Sequence, residues 1–522
     1  MSLTFYVLEH GASAVQSGRN LVQLVPSNWD DYSFKSTFEV IFYNSNGLRR
    51  EVGTVKIGYI NQRTGWTLEK IPRQFSSLDA GWFSLGQDVD YYSVLREHLS
   101  QAERQTLLKG LADVVFNENI LNVAHNEEVF QRSLMRTVSQ SVILGQFRRV
   151  LAGQATLTEF HFAYYEAGDN RHAAVSLDFH VTPDSKPSTS LHVLIGRNGV
   201  GKTTLLNNMV RAIVPQTAPT LIRGNFYIPD SNKIKWVTLP KEYFSSVVSV
   251  SFSAFDPFVP PVDQPDRSQG IAYFYVGMKK TRASVQLESQ PPKTEIDLGN
   301  DFIEALRSCL SQPAKRDRWH TAITRLESDS NFADMDLSRL LQVDTASALQ
   351  LAASLVKSMS SGHSIVLLTI TKLIDTVEEK TLVLMDEPES HLHPPLLSAF
   401  IRALSDLLNN RNGVAIIATH SPVVAQEVPR SCVWKMSRLR VQGRVDRPER
   451  ETFGENVGVL TREIFGLEVS KSGFHEVLQK AVLEGGTFES ISQQYNGQLG
   501  FEAQALLRVL LTARDTSTRQ ST

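Results

Sequence analysis

The densest chemistry in the chain lies in Gly196-Arg197-Asn198-Gly199-Val200-Gly201-Lys202-Thr203. This run fits G-x-x-x-x-G-K-[ST], the spacing of a phosphate-binding loop. Glycines at these points let backbone N–H groups turn inward around a polyphosphate. A helix beginning directly afterwards adds the positive end of its dipole. In such a loop Lys202 reaches the β- and γ-phosphates, and the Thr203 hydroxyl ligates Mg2+. Gly196, Asn198, Gly199, Gly201 and Thr204 complete the expected ATP-binding set. The bland alternative is a glycine-rich turn with an exposed lysine. The flanks argue against it, because apolar LHVLI precedes the run and helical TLLNNMVRAI follows it directly.

A second constellation is Leu382-Val383-Leu384-Met385-Asp386-Glu387. Four apolar residues predict a buried parallel strand, and the two acids fall at its C-terminal end, where open α/β sheets bind ligands. Asp386 would hold Mg2+ through water, and Glu387 would polarise the attacking water as general base. Many surface strands end in acids, so the pair gains its meaning from the phosphate loop. Further on, VAIIAT predicts another buried strand, running into His420-Ser421-Pro422. If that strand lies beside the acidic one, His420 reaches the same edge of the sheet. Between loop and acids, Met359-Ser360-Ser361-Gly362-His363 precedes the apolar helical stretch IVLLTITKLI, where a helix N-terminus could meet an anion.

The order of these pieces resembles the ABC ATPase superfamily: phosphate loop, signature, acidic strand, D-loop, switch histidine. The resemblance implies a catalytic trio of Lys202, Glu387 and His420, with His420 contacting the γ-phosphate. It also implies a dimer in which Ser360, Ser361 and Gly362 of one copy meet the nucleotide of the other. The family signature reads approximately L-S-G-G-Q, and this sequence departs from it at Ser361 and His363. A glutamine loop is also expected and none is evident; Ser253 or Asp256, within VVSVSFSAFDPF, would do that work. The pair Tyr164-Tyr165 could stack on adenine, although an ordinary core strand is the preferred reading. His391 and His393 with Glu389 offer a metal site as an alternative. The D-loop reading, with both histidines facing the dimer partner, is preferred because no cysteine or further acidic ligand accompanies them in the sequence.

The expected architecture is α/β: an ABC-type P-loop sheet, an antiparallel β subdomain, a helical signature subdomain, an N-terminal mixed region and a helical C-terminal tail. Residues 1–154 alternate apolar and polar side chains as far as about Ile60 and read as helical from about Ser93 to Phe116 and about Glu128 to Leu151. Residues 155–430 form the ATPase core, with a helical insertion over about 298–360. Residues 431–522 read as a mainly helical partner-docking region. Sustained heptads are absent, which excludes a long coiled-coil arm.

Of the 522 residues, 42% are hydrophobic and 21% charged, a balance that excludes a disordered chain. A net charge of −2 gives no coat for nucleic acid, while leaving room for a local basic groove. Only Cys309 and Cys432 occur, so a disulfide scaffold is excluded and a cytoplasmic location is expected. The first residues lack the pattern of a secretory leader, and no stretch is apolar enough to span a membrane.

Within the superfamily, the sequence is similar to the SMC-like and OLD-like ATPases of bacterial defence systems. It most resembles the ATPase of Septu-type antiphage systems (PtuA), including retron-associated forms. The segments behind this are NWDDYSFKSTF, EVGTVKIGYI, SLGQDVDYY, ETFGENVGVLTREIFGLEVSKSGF and LGFEAQALLRVLL. That resemblance implies a homodimer or an assembly of dimers controlling a separate PtuB-like HNH nuclease. Retron forms add a reverse transcriptase with its DNA–RNA hybrid. An OLD-type nuclease would need a D-x-D pair after His420; only Asp446 and Asp515 occur there, so no nuclease activity of its own is expected. The rival readings are an SMC-like DNA-repair ATPase that grips DNA ends and a free-standing transport ATPase.

Overall fold

A computed structural model describes residues 3–12, 14–138, 140, 142–153, 158–168, 173–214, 223–230, 232, 235–253, 258–266, 270–281, 292–439, 442–466 and 473–520. Asp256 and residues 467–472 of the Septu-like segment lie outside these.

The central sheet has seven strands. In spatial order they are Ala272–Gly277, Ser246–Ser251, Thr381–Asp386, Val414–Thr419, Leu191–Gly196, Val433–Leu439 and Gln442–Asp446. All neighbours run parallel except the last, which turns back on Val433–Leu439. These strands are apolar on both sides because both sides are covered, as parallel sheets require. Val193, Ile195, Val383, Met385, Ala415 and Ile417 face a helical layer, which includes Glu295–Ser311, Pro313–Leu326, Ser361–Thr376 and Pro394–Asn410. Their alternates Leu194, Leu382, Leu384, Val414 and Ile416 face the helix Lys202–Ile213.

That helix is sandwiched. Its outer side meets a four-stranded antiparallel sheet, in the order Val175–Val181, Phe160–Glu166, Gly224–Pro229, Trp236–Thr238, through Phe162, Phe179 and Phe226. The expected antiparallel subdomain and helical signature layer are therefore both present. The boundary expected at 430/431 falls inside the central sheet instead. Val433–Leu439 and Gln442–Asp446 extend it beside the phosphate-loop strand, and the mainly helical portion begins only with Val457–Phe465. Val433 and Met436 are apolar and buried because they occupy an interior strand, a pattern too short to separate from a helix turn in sequence.

The N-terminal region builds its own sheet of six strands, with order Gln74–Phe75, Thr4–Val7, Leu21–Pro26, Thr37–Tyr43, Arg49–Tyr59, Trp82–Gly86. Its core is drawn wholly from residues 3–150. Inside it Asp31 is fully buried, with its carboxylate 2.7 Å from both Lys56 and Arg136.

A buried ionic cluster joins this region to the ATPase body. Arg411, 1% exposed, places Nη1 2.6 Å from Asp88 and Nη2 2.6 Å from Glu378. Arg318 adds a contact of 2.8 Å to Asp88. Burial works against ionising Asp88, but Arg411 and Arg318 outweigh it and hold the carboxyl well below its ordinary range.

The helices Phe474–Leu483, Phe488–Gln494 and Phe501–Gln520 close a separate small core around Ile491 and Leu507. Among the described residues no helix is long and apolar enough to cross a membrane.

Candidate functional site

The site lies at the C-terminal edge of the central sheet, where three adjacent parallel strands end. The phosphate-loop strand ends at Gly196, the middle strand at Thr419 and the acidic strand at Asp386. Val414–Thr419 pairs with both neighbours, with Ile195 opposite Thr419 and Asp386 opposite Ala418. The expected adjacency of the acidic and histidine strands is thus observed.

Gly196 is required by packing. A Cβ there would come within 2.3 Å of the Met436 carbonyl oxygen on the adjoining strand. Gly199 (φ 80°) and Gly201 (φ 102°) sit in left-handed or related conformations that L side chains rarely adopt. Gly201 precedes the helix Lys202–Ile213, whose first turn has no side-chain cap, so its N–H groups remain for an anion. Lys202 is 4% exposed and folds into the loop, donating to the carbonyls of Gly196 at 2.9 Å and Arg197 at 3.0 Å. Burial pushes its pKa down, while the carboxylates of Glu387, Asp386 and Glu389 pull the other way. Asn198, Gly199 and Thr204 are exposed, and Thr203 is half-buried. This inward-curled, uncapped, lysine-bearing loop fits a polyphosphate. The Thr203 hydroxyl and the buried Asp386 supply the oxygen ligands Mg2+ prefers.

Glu387 occupies the left-handed region at φ 45° and ψ 59°, and its N–H donates to the Ala418 carbonyl at 2.8 Å. For a non-glycine residue this is a strained turn of the kind found at functional sites. It sends the chain from the strand into the short turn Pro388–His391. His420 is 41% exposed at its side chain, with Nδ1 3.6 Å from Glu387 and 3.2 Å from Glu389.

Sequence reasoning gave Glu389 no part here beyond a metal option. One of its carboxylate oxygens accepts the Thr419 hydroxyl at 2.5 Å and the His420 N–H at 2.7 Å. Its place directly behind Asp386-Glu387-Pro388 was the available signal. Of the glutamine-loop candidates, Ser253 lies just past the strand Ser246–Ser251, whose last residue pairs with Asp386. Tyr164 is fully buried against Phe226, and Tyr165 points outward.

Ser360 stands at the N-cap of the helix Ser361–Thr376, with Ser361 and Gly362 in its first turn. Its hydroxyl does not cap the helix; it lies 2.6 Å from His363 Nδ1. A Cβ on Gly362 would meet the His391 carbonyl at 2.5 Å, so the signature helix and the D-loop are in close contact. His393 is half-exposed, and the structure supplies the acidic neighbour that the sequence did not show beside it. Its Nε2 lies 3.1 Å from Asp329 of the same chain.

Fold and site together define an ABC-type P-loop ATPase. Residues 277–425 match the family described as "AAA domain, putative AbiEii toxin, Type IV TA system", a span that takes in the signature helix, the acidic strand and His420. The chain is 45% identical over 531 residues to protein ea59 of Escherichia phage lambda, covering 98% of this chain and 99% of that protein, and it belongs to the ea59 family. Among solved structures, an ATP-binding cassette of an ABC transporter in its ADP conformation is 16% identical, with a TM-score of 0.30, over 60% of this chain and 98% of that one. An SMC head bound to the C-terminal winged-helix domain of ScpA is 11% identical, with a TM-score of 0.28, over 55% of this chain and 97% of that one.

Proposed function

We propose that the chain hydrolyses ATP at two composite sites of a homodimer, and that closure of the dimer controls a separate HNH-type nuclease in an antiphage complex. The observation that carries the ATPase reading is the convergence of Lys202, Asp386, Glu387 and His420 on three adjacent strand ends. Lys202 and the N–H groups of the glycine-rich loop bind and orient the β- and γ-phosphates. Thr203 and Asp386 would hold Mg2+, which supplies neutralising charge on the phosphate oxygens. Glu387 takes the proton of the attacking water. His420, positioned through Glu389, donates toward the γ-phosphate. Ser360 and the uncapped amides of its helix meet the nucleotide of the partner copy.

Control of a nuclease draws its support from the Septu-like segments and from exposed apolar side chains on the C-terminal helices, notably Leu483 at 79% and Phe501 at 90% exposure. Closure would shift the population between two dimer shapes that the bound nuclease reads.

The test compares Lys202→Ala with Glu387→Gln. Lys202→Ala abolishes ATP binding by calorimetry. Glu387→Gln binds ATP, stops turnover and accumulates dimer in light scattering. Unchanged binding and turnover in both variants overturns the site. Failure of the wild-type chain to dimerise with ATP overturns the composite arrangement, and absence of an HNH nuclease among co-purifying proteins overturns the defence role.

A further inference from the structure

Asp329, His363 and His393 place one donor atom each within 4.8 Å of one another, beside the signature helix. His363 Nε2 lies 3.2 Å from Asp329 Oδ1, and His393 Nε2 lies 3.1 Å from Asp329 Oδ2. Donors around a tetrahedral Zn2+, bonded at about 2.0–2.1 Å, stand roughly 3.3 Å apart along each edge. The two histidine contacts, one to each oxygen of Asp329, are close to that length, and all three donors lie within 4.8 Å.

Outer contacts already orient the ligands, as built metal sites require. Asp329 Oδ1 also accepts the N–H groups of Asn331 at 3.0 Å and Phe332 at 3.2 Å. This leaves Oδ2 directed at His393. His363 is buried and held at Nδ1 by the Ser360 hydroxyl. His393 is 48% exposed at its side chain, which gives an ion a way in and a place for a water as fourth ligand. The three residues come from three elements: the N-cap of Ser330–Asp334, the first turn of Ser361–Thr376 and the N-cap of Pro394–Asn410.

We propose that these residues form a site for a divalent transition metal of the zinc class, and that its occupation sets the hydrogen bond of Ser360. The second half rests on the composite ATP site proposed above. Without metal, His363 carries its proton on Nε2 for Asp329, so Nδ1 accepts the Ser360 O–H. Metal on Nε2 forces the proton to Nδ1, which then donates to Ser360 Oγ and frees the hydroxyl proton for the partner's γ-phosphate. His393 undergoes the same proton shift and gives up its contact with the Leu396 N–H, already long at 3.5 Å.

The test titrates Co2+ into the full-length, nucleotide-free protein in excess Mg2+, which occupies the hard oxygen site. Expected are visible d–d bands saturating at one ion per chain and erased by Zn2+. Affinity falls at least about tenfold in His393→Ala and in Asp329→Asn. The thermal melt of His393→Ala without metal stays that of the wild type. Absent bands, or equal binding in both variants, overturns the site. For the coupling, ATP turnover at fixed Mg2+ rises roughly tenfold on Zn2+ loading, the worth of one hydrogen bond to a charged oxygen. His393→Ala loses that response. A wild-type rate indifferent to Zn2+ overturns the coupling. Were the ATP-site assignment itself wrong, Lys202→Ala would leave ATP binding intact while the Co2+ bands persisted, so the two failures are separable.

Discussion

Glu389 accepts the backbone N–H of His420 at 2.7 Å, and that bond fixes where the histidine stands at the mouth of the sheet. The carboxylate belongs to the turn after the acidic strand, so a single group ties two strand ends together. Glu389→Ala strips the acceptor from a half-buried N–H and from Thr419, a loss of about 1–3 kcal/mol. Steady-state kinetics of Glu389→Ala should show kcat reduced at least about tenfold with KM little changed, while Glu389→Gln retains most activity. Equal kcat in Glu389→Ala and wild type would show that His420 needs no such anchor.

Arg411 should be the most sensitive charge in the molecule. Arg411→Met leaves Glu378 buried without its guanidinium and Asp88 with Arg318 as its remaining arginine, a defect on the order of 3–5 kcal/mol. Differential scanning calorimetry should show a large drop in Tm. Arg411→Lys should not restore it, because an ammonium cannot bridge Asp88 and Glu378 as a planar fork does. Recovery of part of the loss by adding Asp88→Asn would confirm uncompensated charge as the cause.

Asp113 should make stability fall as pH rises. Burial pushes its carboxyl up to about 7, against the pull of N–H donors from Phe116 and Val115 and the Tyr92 hydroxyl. The folded form therefore holds a proton that the unfolded chain releases near pH 4. The stabilisation is complete below that point and is lost as pH climbs from about 4 through 7, on the order of a few kcal/mol. Glu379, raised by burial to about 8, adds in the same direction. Melting curves between pH 5 and pH 8 should slope downward, and Asp113→Asn should flatten the slope. An identical slope in that variant would remove Asp113 as the cause.

Leu483 and Phe501 should matter for association and not for folding. Leu483→Ser and Phe501→Ser together should leave Tm and ATP turnover unchanged, since both side chains are exposed. Retention of the HNH nuclease on an affinity column should drop. Full retention would move the docking surface elsewhere.

The phosphate loop could be read directly because all of its chemistry lies in one short stretch between a strand and a helix. The acidic strand and His420 were readable for the same reason, as apolar runs ending in polar residues. The partners of His393 were not. Asp329 lies far back in the chain, and only the packing of the helical layer brings the two together. The Septu-like segments changed meaning in three dimensions. NWDDYSFKSTF supplies Asp31 and EVGTVKIGYI supplies Lys56, which form one buried ion pair; SLGQDVDYY supplies Asp88, the anchor of Arg411. In this chain those three segments answer to a structural constraint. The two last strands of the central sheet were missed because short apolar runs carry no period of their own.

The N-terminal core is complete within residues 3–150, whereas the central sheet gathers strands from Leu191 to Asp446. On the ribosome, therefore, the first region can fold while the remainder is still being made. Nucleotide affinity must wait until Val433–Leu439, the strand flanking Gly196, has emerged well after the phosphate loop itself. Newly made chains pass through an interval in which a finished leading module is tethered to an unfinished, apolar-rich engine. Asp88 has neither arginine partner until Arg318 and then Arg411 are made. Truncations of growing length should gain ATP binding in one late step and not by degrees.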